Sequence, residues 1–226
     1  VIEFCQTRKK GAYMYYHNLD FPILKDIPVE VHYRPTWLYN PWHNKHLQAW
    51  FNKYKTSRDF IEYDGYAIPS ARFNTIFHLY KHIFEEGIGL RQLLDYYMVL
   101  KEAPLSYPAH ERIPFGLNKF AAAVMYVLRE VFNAEDRLML CPPDEKRGRQ
   151  LLEEIMQSGN FGQFDKRYNW KEASNGSLKY RGMKYAVTRL RHNMRFLLYY
   201  PSEVLFEPLF RLYNKVWLLF RLWKYE

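Results

Sequence analysis

Cysteine is almost absent from this chain: two residues, Cys5 and Cys141, in 226. Two thiols so far apart exclude a disulfide framework and a cysteine zinc site, and they fit a reducing, cytoplasmic compartment. Long apolar runs are missing too. The most apolar stretch, VWLLFRLW at 216–223, is broken by Arg221 and is far too short to span a bilayer. The opening VIEFCQTRKK is too short and too charged for the apolar region of a signal peptide. Nucleotide-binding and nucleophile signatures are also lacking. There is no phosphate-binding loop and no nucleophile elbow. The Gly-x-Gly of EEGIGLRQ lies between helical patterns rather than after a strand, so it fails as a dinucleotide fingerprint. No internal repeat or low-complexity tract occurs.

What is present is apolar and aromatic. Hydrophobic residues make up 48% and aromatics 19%, so the chain can bury a core and is not a disordered one. Its length suits one sizeable core or two small ones. The formal net charge is +9, unevenly placed. Residues 177–226 hold ten Lys/Arg against three Asp/Glu, a surplus of seven that leaves two for the rest. Such a segment points to a phosphate-bearing partner, an acidic protein surface or a membrane face. The C-terminal VWLLFRLWKYE is amphipathic and aromatic, a pattern shared by interfacial helices and bundle helices.

The pattern predicts a mainly helical α+β fold: a small antiparallel β piece followed by a helical bundle, divided as residues 1–68 and 69–226. GAYMYYHN and IPVEVHYR read as two antiparallel strands around the turn-rich LDFPILKD. A short helix follows at HNKHLQAWFNKY, and Asp64-Gly65 marks a hairpin. Helices are predicted from a cap at Ser70, at LRQLLDYYMVLKE, over 117–132, at PPDEKRGRQLLEEIMQ, and as two final segments split at Pro201. PLSYPAHERIP and residues 158–177 read as loops.

Three constellations can carry chemistry. In DIPVEVHYRP, Glu30 and His32 share one face of a strand while the valines and Tyr33 take the other. A carboxylate beside an imidazole can hold a metal or move a proton; it also suits the wet face of an edge strand. In FHLYKHIFEEGIGLRQLLD, His78 and His82 stand one turn apart, away from the face of Phe73, Tyr80 and Phe84, with Lys81 between them. Leu79 replaces the Glu of a zincin motif, which excludes zinc hydrolysis of that type. Arg91 and Asp95 are again one turn apart. The third is a basic stripe of Arg181, Lys184, Arg191 and Arg195. It flanks a predicted buried face of Tyr180, Met183, Val187, Leu190 and Met194, and suits phosphate, nucleic acid or plain solvation.

VEVHYRP, HLYKH and GLRQLLD, in that order, together with RHNMRFLLYYPSEVL, resemble the uncharacterised bacterial nucleotidyltransferase family found widely in Bacteroidetes. The resemblance runs from about Gly11 to the end. It implies a DNA polymerase β-type core, in which a D-x-D pair and a third carboxylate hold two Mg²⁺ ions that align a nucleoside triphosphate with an acceptor. By that resemblance Glu30 is the third, metal-binding carboxylate, and His32, His78, Lys81, His82, Arg91 and Asp95 border the substrate pocket. Arg181, Lys184, Arg191 and Arg195 would lie near phosphate or a partner. The chain departs from the family in having no Gly-Ser turn followed by D-x-D, and Asp20, Asp26 and Asp64 do not supply one. The absence of a start Met suggests the C-terminal portion of such an enzyme, inactive alone. The alternative is a non-catalytic helical module that binds an acidic partner or nucleic acid through the basic stripe.

Overall fold

This computed structural model describes residues 13–20, 24, 27, 29–56, 62–63, 66–85, 87–102, 116–159, 165–167 and 178–222. Five short strands and seven α-helices are found among them, so the fold is α+β and mainly helical. The strands are β1 (Tyr13–Met14), β2 (Asn18–Asp20), β3 (Glu30–His32), β4 (Glu62–Tyr63) and β5 (Tyr66–Ala67). The helices are α1 (Pro41–Thr56), α2 (Ile68–Glu85), α3 (Leu90–Glu102), α4 (Asn118–Phe132), α5 (Glu145–Ser158), α6 (Leu178–Met194) and α7 (Pro201–Leu222). The predicted Asp64-Gly65 turn, the side chains of Ser70 and Phe73, the 104–114 loop and most of 158–177 lie outside the described residues.

The first sheet has three strands, not two. GAYMYYHN folds back on itself: β1 pairs with β2, and β2 with β3, all antiparallel. Tyr15 N–H donates to the Asn18 carbonyl at 2.8 Å to close the first turn. The carbonyl of His17 accepts from both Tyr33 and Arg34 backbone N–H groups, at 3.0 and 3.1 Å, which pins this turn beside the end of β3. Helix α1 begins two residues earlier than predicted, because Asn40-Pro41 is a cap signal. The Asn40 side-chain oxygen accepts from Trp42 and His43 N–H at 2.9 and 3.3 Å, and Pro41 fills the first helical position.

Helix α4 is the hub of the bundle. Phe120, Ala121 and every residue from Ala123 to Leu128 are buried, the pattern of a helix surrounded by others. It ends on Asn133 in the left-handed conformation (φ 51°), a shape asparagine tolerates. Asp144 starts α5 by accepting the Arg147 N–H at 3.0 Å, and these hydrogen bonds hold its carboxyl below the usual range. An aromatic cluster joins α2, α4 and the turn between α6 and α7: Tyr80–Phe120, Tyr80–Tyr200 and Phe84–Phe196 ring centroids lie 5.0, 5.7 and 5.6 Å apart.

The predicted buried face of α6 is corrected. Met183, Val187, Leu190 and Met194 are all exposed, while Arg189, His192 and Asn193 face inward; the side chain of Tyr180 lies outside the described residues. The cause is charge. Glu85 of α2 and Glu207 of α7 are turned towards the same interior, and Arg189 lies 3.8 and 3.5 Å from them. A buried carboxylate without a cation costs several kcal/mol, about as much as exposing two or three apolar side chains.

Close packing of α4 on α5 depends on Gly148. A Cβ there would fall 2.2–2.4 Å from the Cβ and ring atoms of Tyr126. Gly148→Ala should therefore destabilise the protein by about 1–3 kcal/mol in urea unfolding, although the same change in an open helix stabilises it. An increase in stability would show that α4 and α5 do not approach this closely.

Candidate functional site

The β2–β3 register sets one side of the site. Asp20 is opposite Glu30 and Asn18 opposite His32, so these four residues share a face, as the alternation predicts for Glu30 and His32. His32 Nε2 lies 3.4 Å from Glu30 Oε2, and Asn18 Nδ2 donates to the same oxygen at 2.9 Å. Asn18 is buried, and its own Oδ1 has no partner among the described residues. Glu30 and His32 are exposed at the surface.

Helix α2 supplies the other side. His78 is exposed and His82 half-buried, with their Nε2 atoms 2.8 Å apart, so one ring donates and the other accepts. Lys81 points inward, its ammonium over the Trp37 ring and 3.7 Å from Glu85. Between helix and sheet stands His17, at the turn between β1 and β2. Its ring centroid is 4.2 Å from Trp37 and 5.0 Å from His32. The strand pair Glu30/His32 and the helical trio His78/Lys81/His82, more than forty residues apart in sequence, thus meet around His17 and Trp37.

Burial and neighbouring positive charge keep the imidazoles of His17, His78 and His82 neutral. Burial lowers His17 to about 3, helped by the charges of Lys81, His32 and His78. His78 keeps part of its side chain in solvent, yet the protein packed around its ring lowers it to about 4, helped by His82 and Lys81 and opposed by Glu85. His82 is lowered by burial, with Glu85 opposing. Near pH 7 the rings of His17, His78 and His82 are therefore neutral, backed by the fixed cation of Lys81. If Lys81 exerts this field, Lys81→Met raises the midpoints of His17 and His78 in an NMR titration while leaving both below 6.5. Unchanged midpoints would remove Lys81 from the site.

Trp37 is held in place by side chains that satisfy the backbone of 36–40. Gln48 Nε2 donates to the Thr36 carbonyl at 2.9 Å, and Asn44 Oδ1 accepts the Leu38 N–H at 3.1 Å. Glu203, in the first turn of α7, accepts the N–H groups of Tyr39 and Asn40 at 2.6 and 3.4 Å. Burial raises the Glu203 carboxyl to about 7, against the pull of those two hydrogen bonds. Folded protein thus keeps a proton that the unfolded chain releases near 4.5, and stability from this group falls as pH rises from about 4.5 to 7. Glu203→Gln removes that loss. Relative to wild type, the variant should gain on the order of 3 kcal/mol between those pH values in denaturant titrations. Parallel pH curves for the two proteins would contradict the burial of this charge.

The remaining predicted residues lie elsewhere. Arg91 and Asp95 are exposed on α3, and no contact joins them to the cluster among the described residues. Lys184 and Arg191 are exposed on α6, and the Arg181 side chain lies outside the described residues. Arg195 turns away from the stripe to grip Glu154 with both nitrogens, at 2.7 and 2.8 Å, where Arg167 and Asp165 complete a network. The basic stripe is therefore not a row of four solvent-facing cations. Sequence reasoning missed His17, Trp37, Glu85, Arg189 and Glu203. Only Glu203 carries a local signal, as an acid in the first turn of a helix opened by Pro201.

The donor set falls short of a metal centre. Asp20 and Glu30 face each other across the strands, yet no three His, Cys, Asp or Glu side chains among the described residues are placed to hold an ion. The arrangement can bind an anion through imidazole N–H groups near Lys81, and can pass a proton between His32 and Glu30. Comparison with protein-family models, with curated proteins and with solved structures finds no match for this chain.

Proposed function

We propose that the cluster of Glu30, His32, His78, Lys81 and His82 binds the phosphate end of a nucleoside triphosphate during nucleotidyl transfer to an acceptor. The observation that supports this reading is the meeting of the VEVH strand with the HLYKH helix around His17 and Trp37. These are the motifs on which the resemblance to nucleotidyltransferases rests, and a shared site gives a reason for both. Two buried polar atoms beside it, Trp37 Nε1 and Asn18 Oδ1, have no partner among the described residues. The indole N–H suits an acceptor such as a phosphate oxygen, whereas the amide oxygen only accepts and suits a ligand hydroxyl or amine.

The cluster's own residues divide the work. With its Nε2 accepting from His82, His78 keeps its other ring N–H for a ligand, and Lys81 supplies positive potential beside it. His32 orders the Glu30 carboxylate. In the family the chain resembles, that carboxylate helps to hold Mg²⁺. The residues described here do not complete such a centre, so no step is assigned to a metal.

Triphosphate bound at this face would offset the Lys81 charge and raise the His78 midpoint from about 4. NMR titration with metal-free ATP should show that rise, adenosine should not, and Lys81→Met should weaken ATP binding about tenfold. An unmoved His78 at millimolar ATP would refute the proposal. Glu30→Gln should leave ATP binding intact and abolish nucleotidyl transfer wherever transfer is measured; full transfer by that variant would remove Glu30 from the chemistry.

A further inference from the structure

Helices α6 and α7 turn apolar stripes to the outside. On α6, Met183, Val187, Leu190 and Met194 recur at helical intervals and are each about half exposed or more. On α7, Leu205, Leu209, Leu212, Val216 and Leu219 continue the same spacing at 44–69% exposure. Scattered exposed leucines are ordinary, but periodic apolar stripes on two helices that pack together mark an interaction surface. The inward sides of both helices are taken by Arg189, His192, Asn193, Glu203 and Glu207, so the stripes cannot be exchanged for the interior faces.

Charge around the patch selects its occupant. Residues 178–222 contain only two acids, Glu203 and Glu207, and both are buried. Every other charged residue in this span is Lys or Arg, and Lys184, Arg191 and Lys215 are exposed. Tyr185 and Tyr213, each with an apolar body and a polar tip, are exposed among them. Apolar stripes whose exposed charged neighbours on the same helices are all cations, with tyrosines among them, complement the boundary between acyl chains and anionic headgroups. Beside the α7 stripe opens a cleft of about 490 Å³ walled by Tyr16, Tyr39, Phe206, Leu209 and Phe210, with Lys45 in its lining. Leu209 belongs to both features, so the cleft extends the apolar surface into a recess that an acyl chain can enter. No helix among the described residues is long and apolar enough to cross a membrane, so the contact is peripheral.

We propose that α6 and α7 seat this protein on an anionic lipid surface, with the leucine stripes in the acyl boundary and the lysines and arginines against lipid phosphates. The proposal is independent of the nucleotide reading.

Flotation with phosphatidylcholine vesicles, with and without about one third phosphatidylglycerol, tests it. The wild type should float with the anionic vesicles at least about tenfold better than with neutral ones, and high salt should reduce the difference. Lys184→Glu with Lys215→Glu should abolish that preference. Leu212→Glu with Leu219→Glu should abolish flotation on both vesicle types. All four positions are exposed, and unchanged circular dichroism and thermal midpoint would confirm that the variants fold. Three results would overturn the proposal: no flotation, equal binding to neutral vesicles, or a stable dimer of the wild type that the leucine variant dissociates. The last would make a second copy the occupant.

Discussion

A buried carboxylate, Glu203, accepts the backbone N–H groups of Tyr39 and Asn40 at the point where the strands give way to helices. Much of the site depends on that contact. Asn40 caps α1, and the same docked segment presents Trp37 to the interior. On Trp37 rest Lys81 from the bundle and His17 from the sheet. Because Glu203 belongs to the first turn of α7, the far end of the chain positions a cluster built mostly from residues 17–82. The contact is costly, as the upward shift of the Glu203 carboxyl shows, and the backbone it satisfies would otherwise be buried without partners.

From there the interior continues as a chain of charges. Lys81 and Arg189 share Glu85, to which the Tyr39 hydroxyl donates at 2.8 Å, and Arg189 reaches Glu207, which also pairs with Arg211. Buried pairs of this kind add little net stability over a well-packed apolar core, but removing one partner is expensive. They therefore fix which way each helix faces. That constraint sends the leucine stripes of α6 and α7 outward and makes the apolar surface between basic residues a consequence of the interior rather than of the helices' own periodicity.

How much of this was legible in the sequence varied with the range of the interaction. Alternation placed Glu30 and His32 on one face, and helical spacing placed His78 beside His82, because both follow from local backbone geometry. Helix α3 was read at its observed limits and α4 to within a residue from periodicity and flanking breakers. The hairpin folded inside GAYMYYHN was hidden, since no Gly or Pro marks its turn. Orientation of α6 was misread for a physical reason: hydrophobic patterning assumes that apolar residues face inward, and carboxylates on other helices decided otherwise. The meeting of strand and α2 around Trp37 has no local signature, because it depends on Glu203 at the far end of the chain and on hydrogen bonds from the Asn44 and Gln48 side chains that no periodicity marks.

The central claim is that the Glu30/His32 strand and the His78/Lys81/His82 helix share one site through His17 and Trp37. Nuclear Overhauser contacts between ring protons test it most directly. The structure predicts cross-peaks from His17 to both Trp37 and His32, whose ring centroids lie 4.2 and 5.0 Å away. Those cross-peaks, together with contacts from the Lys81 side chain to the Trp37 ring that it covers, would establish the shared site. Their absence, with all three rings assigned, would separate the strand from the helix and leave the proposed phosphate site without a basis.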